Sequence, residues 1–303
     1  MKNANKVSRS FQHMILLCGC LLIYYSVSAR QHKPTESGYI AQKTQGIDSD
    51  YVLIFNSYSE SAPWCRSLVD STVMDLIKLS PQTMTVTQNL NSGLLRDEKA
   101  LAQLRQQVDV SYHDKPRMII YIGSTSWPFL HETIEKKWGK VPSIIFSDID
   151  YTGPIANLLR KTPIAPALRI PYDKIVKEYE GALSVVYMPI YLRQSLALMH
   201  QLTPPMTELC FISDTRWISA QMRADMAAIT KTDFPELKVR YLISADMSTL
   251  DLLDSLQHYG QETGVLFFSW LKQSQVGDSF VNDSHFRIII SKSARQPLFV
   301  LND

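Results

Sequence analysis

Tyr51-Val-Leu-Ile-Phe55, followed by Asn56-Ser-Tyr-Ser-Glu-Ser-Ala-Pro-Trp64, is the stretch that decides the fold. Five apolar residues in a row, without polar alternation, suit a strand covered on both faces. The small polar residues after it, with Pro63 and Trp64, open a helical pattern running to about Leu79. The same order recurs downstream. Arg117-Met-Ile-Ile-Tyr-Ile122 is a second such strand, followed by Gly123-Ser-Thr-Ser-Trp-Pro128 and a helix to Trp138. Met84–Leu90 and Ser143–Phe146 read as further strands, with a helix from Asp97 to Val108 between them. Strands alternating with helices of this length predict βαβ units and a parallel sheet.

Residues 148–180 interrupt the rhythm with Gly153, Pro154, Pro163, Pro166 and Pro171. Alternation resumes with strands at Leu183–Tyr187, Glu208–Ser213, Leu237–Ile243, Val265–Phe268, Phe286–Ile290 and Leu298–Leu301. Helices are expected at Leu192–Leu202, stopped by Pro204-Pro205, at Ser219–Thr230 and at Leu250–His258. The fold class is therefore α/β, with two Rossmann-like lobes and a hinge. Lobe 1 spans 50–147, a crossing segment 148–180, and lobe 2 181–303. The sequence stops at Asp303, directly after a strand, and is read as a piece of a longer chain.

The whole sequence has 303 residues, 45% apolar and 20% charged, enough to bury a sizeable core. Lys and Arg total 31 against 29 Asp and Glu, a net charge of +2. That leaves no basic surplus for phosphate backbones, so nucleic acid is not an expected partner. Lys2, Lys6 and Arg9 precede an apolar run from Met14 to Tyr25, and Val27-Ser-Ala29 supplies a small-residue cleavage pattern. Residues 1–29 are read as a secretory signal peptide, with a retained anchor or lipidation at Cys20 as alternatives. Residues 30–49 are a polar linker. Each alternative exports the chain, to a periplasmic or extracytoplasmic location. Cys65 and Cys210 remain in the exported part and are expected to be buried small hydrophobes.

Ligands of an open parallel sheet bind beyond the carboxyl ends of its strands. Eight residues at or just after predicted strand ends are the expected ligand-binding set: Ser57, Ser59, Trp64, Ser124, Thr125, Asp148, Asp214 and Trp270. Ser61 and Ser126 are the expected helix caps. Hydroxyls and flat apolar rings together suit a small organic ligand with a polar head and an apolar or ring body. Trp64 and Trp270, starting from opposite lobes, are expected as facing walls. Asp148 or Asp214 would meet an amine or hydroxyl.

Val52-Leu-Ile-Phe-Asn-Ser-Tyr-Ser-Glu-Ser-Ala-Pro-Trp64 resembles the opening of the type I periplasmic-binding-protein family of ABC-transporter substrate-binding-like proteins. Leu196–Pro204 and Glu208–Asp214 resemble that family's second-lobe helix and strand. The resemblance implies a two-lobed, hinge-closing binder with its ligand in the cleft. The same family forms sensor regions of bacterial histidine kinases, including hybrid kinases. The segments that return to lobe 1 in that family are not in this sequence.

The sequence holds no G-x-S-x-G, G-x-G-x-x-G, P-loop or H-E-x-x-H string, so no catalytic residue, metal site or cofactor is expected, and the chain is not read as an enzyme. His131 and Glu135 share a helix face, but two groups make no metal site, and Asn282-Asp-Ser284 is a glycosylation pattern by chance. The expected function is the small-molecule-binding sensor region of a two-component histidine kinase. The alternative is the solute-binding protein of an ABC importer, with an exported α/β enzyme third. Membrane attachment, a second copy or a downstream kinase module are the partners this leaves open.

Overall fold

The computed structural model describes residues 51–59, 62–203, 206–273, 280–281 and 286–301. The leader, the linker, Ser61, Pro204-Pro205 and the 282–284 pattern lie outside the described residues. Among those described, no helix is long and apolar enough to cross a membrane.

β1 (Tyr51–Asn56) is buried along its whole length. α1 (Pro63–Leu79) starts on Pro63, whose fixed φ suits a first helical turn. β2 (Met84–Asn89) and β3 (Met118–Ile122) pair with β1 on its two sides, both parallel. Between them α2 (Glu98–Ser111) is capped by Asp97, whose carboxylate accepts from the Ala100 N–H at 2.8 Å. α3 (Ser126–Trp138) follows β3, and β4 (Ser143–Ser147) extends the sheet. An insertion then runs through a two-residue pairing of β5 (Tyr151–Thr152) with β6 (Ile170–Pro171). It carries the short helices α4 (Ile155–Arg160) and α5 (Tyr172–Glu178).

β7 (Leu183–Tyr187) closes the first sheet, pairing parallel with β4 from Ser143↔Leu183 to Ser147↔Tyr187. The first sheet thus has the order β2-β1-β3-β4-β7. This corrects the expected boundary: β7 belongs to the first lobe. The proline-rich stretch 148–180 is an insertion on that lobe, and the chain crosses after β7. The prolines punctuate turns inside the insertion, where composition alone cannot separate a crossing from an excursion.

α6 (Leu192–Leu202) buries Leu192, Leu196 and Met199. The second sheet follows: β8 (Glu208–Ser213), α7 (Trp217–Asp233), β9 (Lys238–Ile243), α8 (Thr249–His258) and β10 (Thr263–Phe267). A short antiparallel pair, β11 (Lys272–Gln273) with β12 (Phe280–Val281), precedes α9 (Phe286–Ser293) and β13 (Leu298–Val300). The sheet order is β13-β10-β8-β9, all parallel. Residues 286–290 are therefore helical, against the strand expected from their β-branched run. β10 and β13 are parallel neighbours, which requires a crossover, and α9 supplies it. Ile290 is fully buried while Ile288 and Ile289 face outward.

One hydrophobic cluster runs through both lobes, from Tyr51, Leu53 and Phe55 through Leu158 and Ile164 to Phe211, Trp217 and Phe268. Each such side chain contributes about 1.5–3 kcal/mol by leaving water. The lobes share a core through the insertion. Trp217 Nε1 donates to the Thr162 carbonyl at 3.1 Å, and the Ile164 N–H donates to Gln221 Oε1 at 2.8 Å. Arg169 pairs with Asp225 at 2.9 Å while lying over the Tyr151 ring. Cys65 and Cys210 are free thiols, both buried, as expected.

Candidate ligand-binding cleft

In both sheets the order of strand addition reverses beside the first strand, between β1 and β3 in one lobe and between β8 and β10 in the other. Such switch points open a crevice at the strand ends. In the first lobe three strand-end loops are laced by hydroxyls. Ser57 Oγ accepts from the N–H groups of Ser126 at 2.9 Å and Thr125 at 3.4 Å. Thr125 Oγ1 donates to Ser92 Oγ at 2.8 Å, and the Ser92 N–H donates to the Ser57 carbonyl at 2.8 Å. Gly123 makes the close approach feasible. Its φ is +87°, and a Cβ there would stand 2.8 Å from Ser57 Oγ.

In the second lobe the loop after β8 is held by charge. Fully buried Asp214 accepts from Arg216 Nε and the Arg216 N–H, each at 2.8 Å, and from Ser219 Oγ at 2.6 Å. Arg223 Nη1 donates to Ser213 Oγ and to the Asp214 carbonyl, each at 2.8 Å. Arg216 is thereby aimed across the gap, its guanidinium 4.8 Å from the centre of the Tyr58 ring. Asp214 raises the Arg216 pKa against the opposing effect of burial, so the cation persists.

Tyr58, Ser92, Ser124 and Thr125 wall the cleft from the first lobe, and Arg216 and Trp217 from the second. Lys161, at the end of α4, closes one side. The free volume is about 10 Å³, room for one water molecule, so anything larger requires the lobes to part. A larger space of about 320 Å³ lies in an open groove between α6 and α7. Its charged groups, Arg193 and Asp225, are already paired with Asp233 and Arg169.

Two buried polar atoms at the cleft make no hydrogen bond of normal geometry. Ser124 is 1% exposed, and its Oγ, facing Asp148 and Tyr58, makes no hydrogen bond of normal geometry. Asp148 Oδ1 is likewise buried and outside normal hydrogen-bond geometry, with the Ser124 hydroxyl beside the carboxylate. Burial pushes the Asp148 pKa up, its own backbone N–H, the Arg216 charge and the Ser124 hydroxyl opposing that rise. Burial, then the Asp148 charge, also holds the Tyr58 hydroxyl protonated.

Of the eight expected residues, Ser124 and Thr125 line the cleft and Asp148 adjoins it. Ser57 lies directly beneath, its hydroxyl spent on the α3 entrance. Asp214 sits behind Arg216 with its carboxylate occupied. The carbonyl of half-buried Ser59 accepts from the Ala62 N–H at 3.1 Å. Trp64 and Trp270 are not facing walls. Trp64 packs with the Val52, Tyr58 and Cys65 cluster of the first lobe. Trp270 is 5% exposed among Ile212, Leu252 and Leu256 of the second, its indole N–H donating to Thr249 Oγ1 at 3.1 Å. Each of these indoles follows a strand end and fills the core of its own lobe. Ser126 lies one residue inside α3, whose cap position is Thr125. The aromatic groups at the cleft are Tyr58 and Trp217, which the sequence reading did not choose. Arg216 was also missed, although it stands in the polar-then-Trp order that marked the other loops. Lys161 comes from the insertion, and no local signal points to it.

No protein-family model matches the chain, and no curated protein matches it. Several solved structures resemble it in outline. One is the fatty acid ABC transporter substrate-binding protein from Thermomonospora curvata, with TM-score 0.48 and 10% identity over 84% of this chain. This chain spans 57% of that one. A second is the open, ligand-free substrate-binding protein CD0873 from Clostridium difficile, with TM-score 0.41, 12% identity, and 83% and 74% of the two chains covered. A third is a carbohydrate transporter solute-binding protein from Agrobacterium Radiobacter in complex with D-arabinose, with TM-score 0.41, 12% identity, and 73% and 68% covered. None reaches a TM-score of 0.5, and the site is read from its own geometry.

Proposed function

We propose that this chain is an extracytoplasmic small-molecule-binding protein that closes two α/β lobes around its ligand and does not transform it. The observation that carries this reading is the buried Ser124 hydroxyl, which makes no hydrogen bond of normal geometry, at a cleft walled by both switch points. Leaving such a group unsatisfied costs about 1–3 kcal/mol, which a bound polar head would recover. The resemblance of residues 52–64 to substrate-binding-like proteins supports the same reading, and the leader pattern in residues 1–29 supports export. Two outputs use such a cleft, delivery to an ABC importer and sensing for a histidine kinase. Loss of uptake of one solute on deleting the gene marks the first, and loss of one transcriptional response marks the second.

Thermal unfolding of the full chain against a small-molecule library tests the binding step. A ligand at a hundredfold excess over its Kd stabilises by about 2.7 kcal/mol. At least one compound should raise the Tm of the wild type and fail to raise that of Ser124→Val. A hit that stabilises both proteins equally contradicts the cleft assignment.

A further inference from the structure

The chemistry of the cleft narrows the class of ligand, an inference that rests on the cleft being the binding site. Its lining includes two cations, Lys161 and Arg216; the carboxylates of Asp148 and Asp214 stand beside that lining, Asp148 next to Ser124 and Asp214 on Arg216. Two helices begin there, α3 at Ser126 and α7 at Trp217, their entrances held by Ser57 Oγ, which accepts from the Ser126 N–H, and by Asp214, which accepts from the Arg216 N–H. Both helices run for several turns, so each brings a partial positive charge to its N-terminus. Ser124 Oγ, 1% exposed, lies at this space beside Asp148 and Tyr58 and makes no hydrogen bond of normal geometry. We propose that the cleft takes the anionic head group, carboxylate or phosphate, of a small organic molecule, seated between Lys161 and Arg216 with Ser124 Oγ donating to it.

The neighbouring charges agree. Asp214 pairs with Arg216, accepting from its Nε and its backbone N–H, and is itself fixed by the Ser219 hydroxyl. Burial first, then the like charge of Arg96, lowers the Lys161 pKa, with Asp214 opposing. A ligand anion there would relieve that repulsion. Asp148 adjoins Ser124, and burial raises its pKa. The shut cleft admits such a head group only after the lobes part, so binding should couple to opening and reclosing.

The test compares isosteres that differ only in the head. Benzoate, phenyl phosphate, benzamide and benzylamine are titrated into the full chain, with propionate, propionamide and propylamine as an aliphatic series. Tryptophan fluorescence reports binding, because Trp217 lines the cleft. An anion in either series should bind at least tenfold more tightly than its neutral and cationic isosteres. Benzoate against phenyl phosphate tells a carboxylate from a phosphate site. Lys161→Met should cost the anion about tenfold or more in affinity, with far-ultraviolet circular dichroism and Tm kept. Ser124→Ala should weaken the anion and leave the amide unchanged. An amide or amine that binds as tightly as its anion overturns the inference while leaving the binding cleft intact. Silence from every probe counts against both. Anion binding that Lys161→Met leaves untouched places the anion elsewhere and also overturns it.

Discussion

The two lobes share the order of their first strands yet fasten their strand ends differently. In the first, neutral hydroxyls of Ser57, Ser92 and Thr125 tie three loops together, and Ser124 and Asp148 keep buried atoms outside normal hydrogen-bond geometry at the rim. In the second, Asp214 is fully occupied and holds Arg216 outward. A satisfied network makes a rigid presenter, whereas orphaned buried groups are a cost kept for some other purpose. The first lobe therefore reads as the receiving face and the second as a preset cationic arm. The insertion 153–169 carries contacts from one to the other. A shared hydrophobic interface of this kind limits free rotation, so opening must strain or release those contacts.

The largest expected effect concerns the tryptophans. Trp270→Ala should lower stability by about 3–5 kcal/mol in denaturant unfolding, because it empties a buried site in the second core. Trp64→Ala should cost about 1–2 kcal/mol, because its ring is only half removed from water. Neither should change the affinity of a ligand per folded molecule. A Trp270→Ala variant of near-native stability that has lost binding would return that ring to the cleft and undo the contrast.

A smaller effect is expected at Asp148. Burial sets its folded-state pKa above the unfolded value. The folded protein therefore holds the proton longer, and stability falls as pH rises from the ordinary carboxylate range through the folded pKa. Asp148→Asn should remove that fall. Its stability relative to wild type should rise with pH, reaching about 1 kcal/mol, the scale of one unsatisfied buried polar atom. Denaturant midpoints measured from about pH 4 to about pH 8 read this directly. A constant difference across the range would mean that Asp148 stays ionised.

Much of the frame was legible in the sequence for a physical reason. Strands covered on both faces must be continuously apolar, so Tyr51–Phe55 and Met118–Ile122 declared themselves, and the loops after them fixed the side on which ligands approach. Membership of a sheet was less legible. Leu183–Tyr187 reads the same whichever sheet it joins, and only its pairing with β4 decides. Phe286–Ile290 is β-branched and locally strand-like, yet the parallel neighbours β10 and β13 demanded a helix. At the site, hydroxyls at strand ends could be named, but which of them is spent internally depends on backbone groups tens of residues away. Ser57 and Ser124 look alike in sequence, and only the Ser126 N–H distinguishes them. Lys161 reaches the cleft by a fold of the insertion that no spacing encodes.

Amide hydrogen exchange of the full chain, with and without a compound that raises its Tm, tests the shared cleft most directly. Ligand held between the lobes should slow exchange in both 124–127 and 216–219, one segment from each lobe. Protection confined to one of these segments, or centred on the α6–α7 groove around Met222 and Ile229, would contradict a site shared by the two lobes.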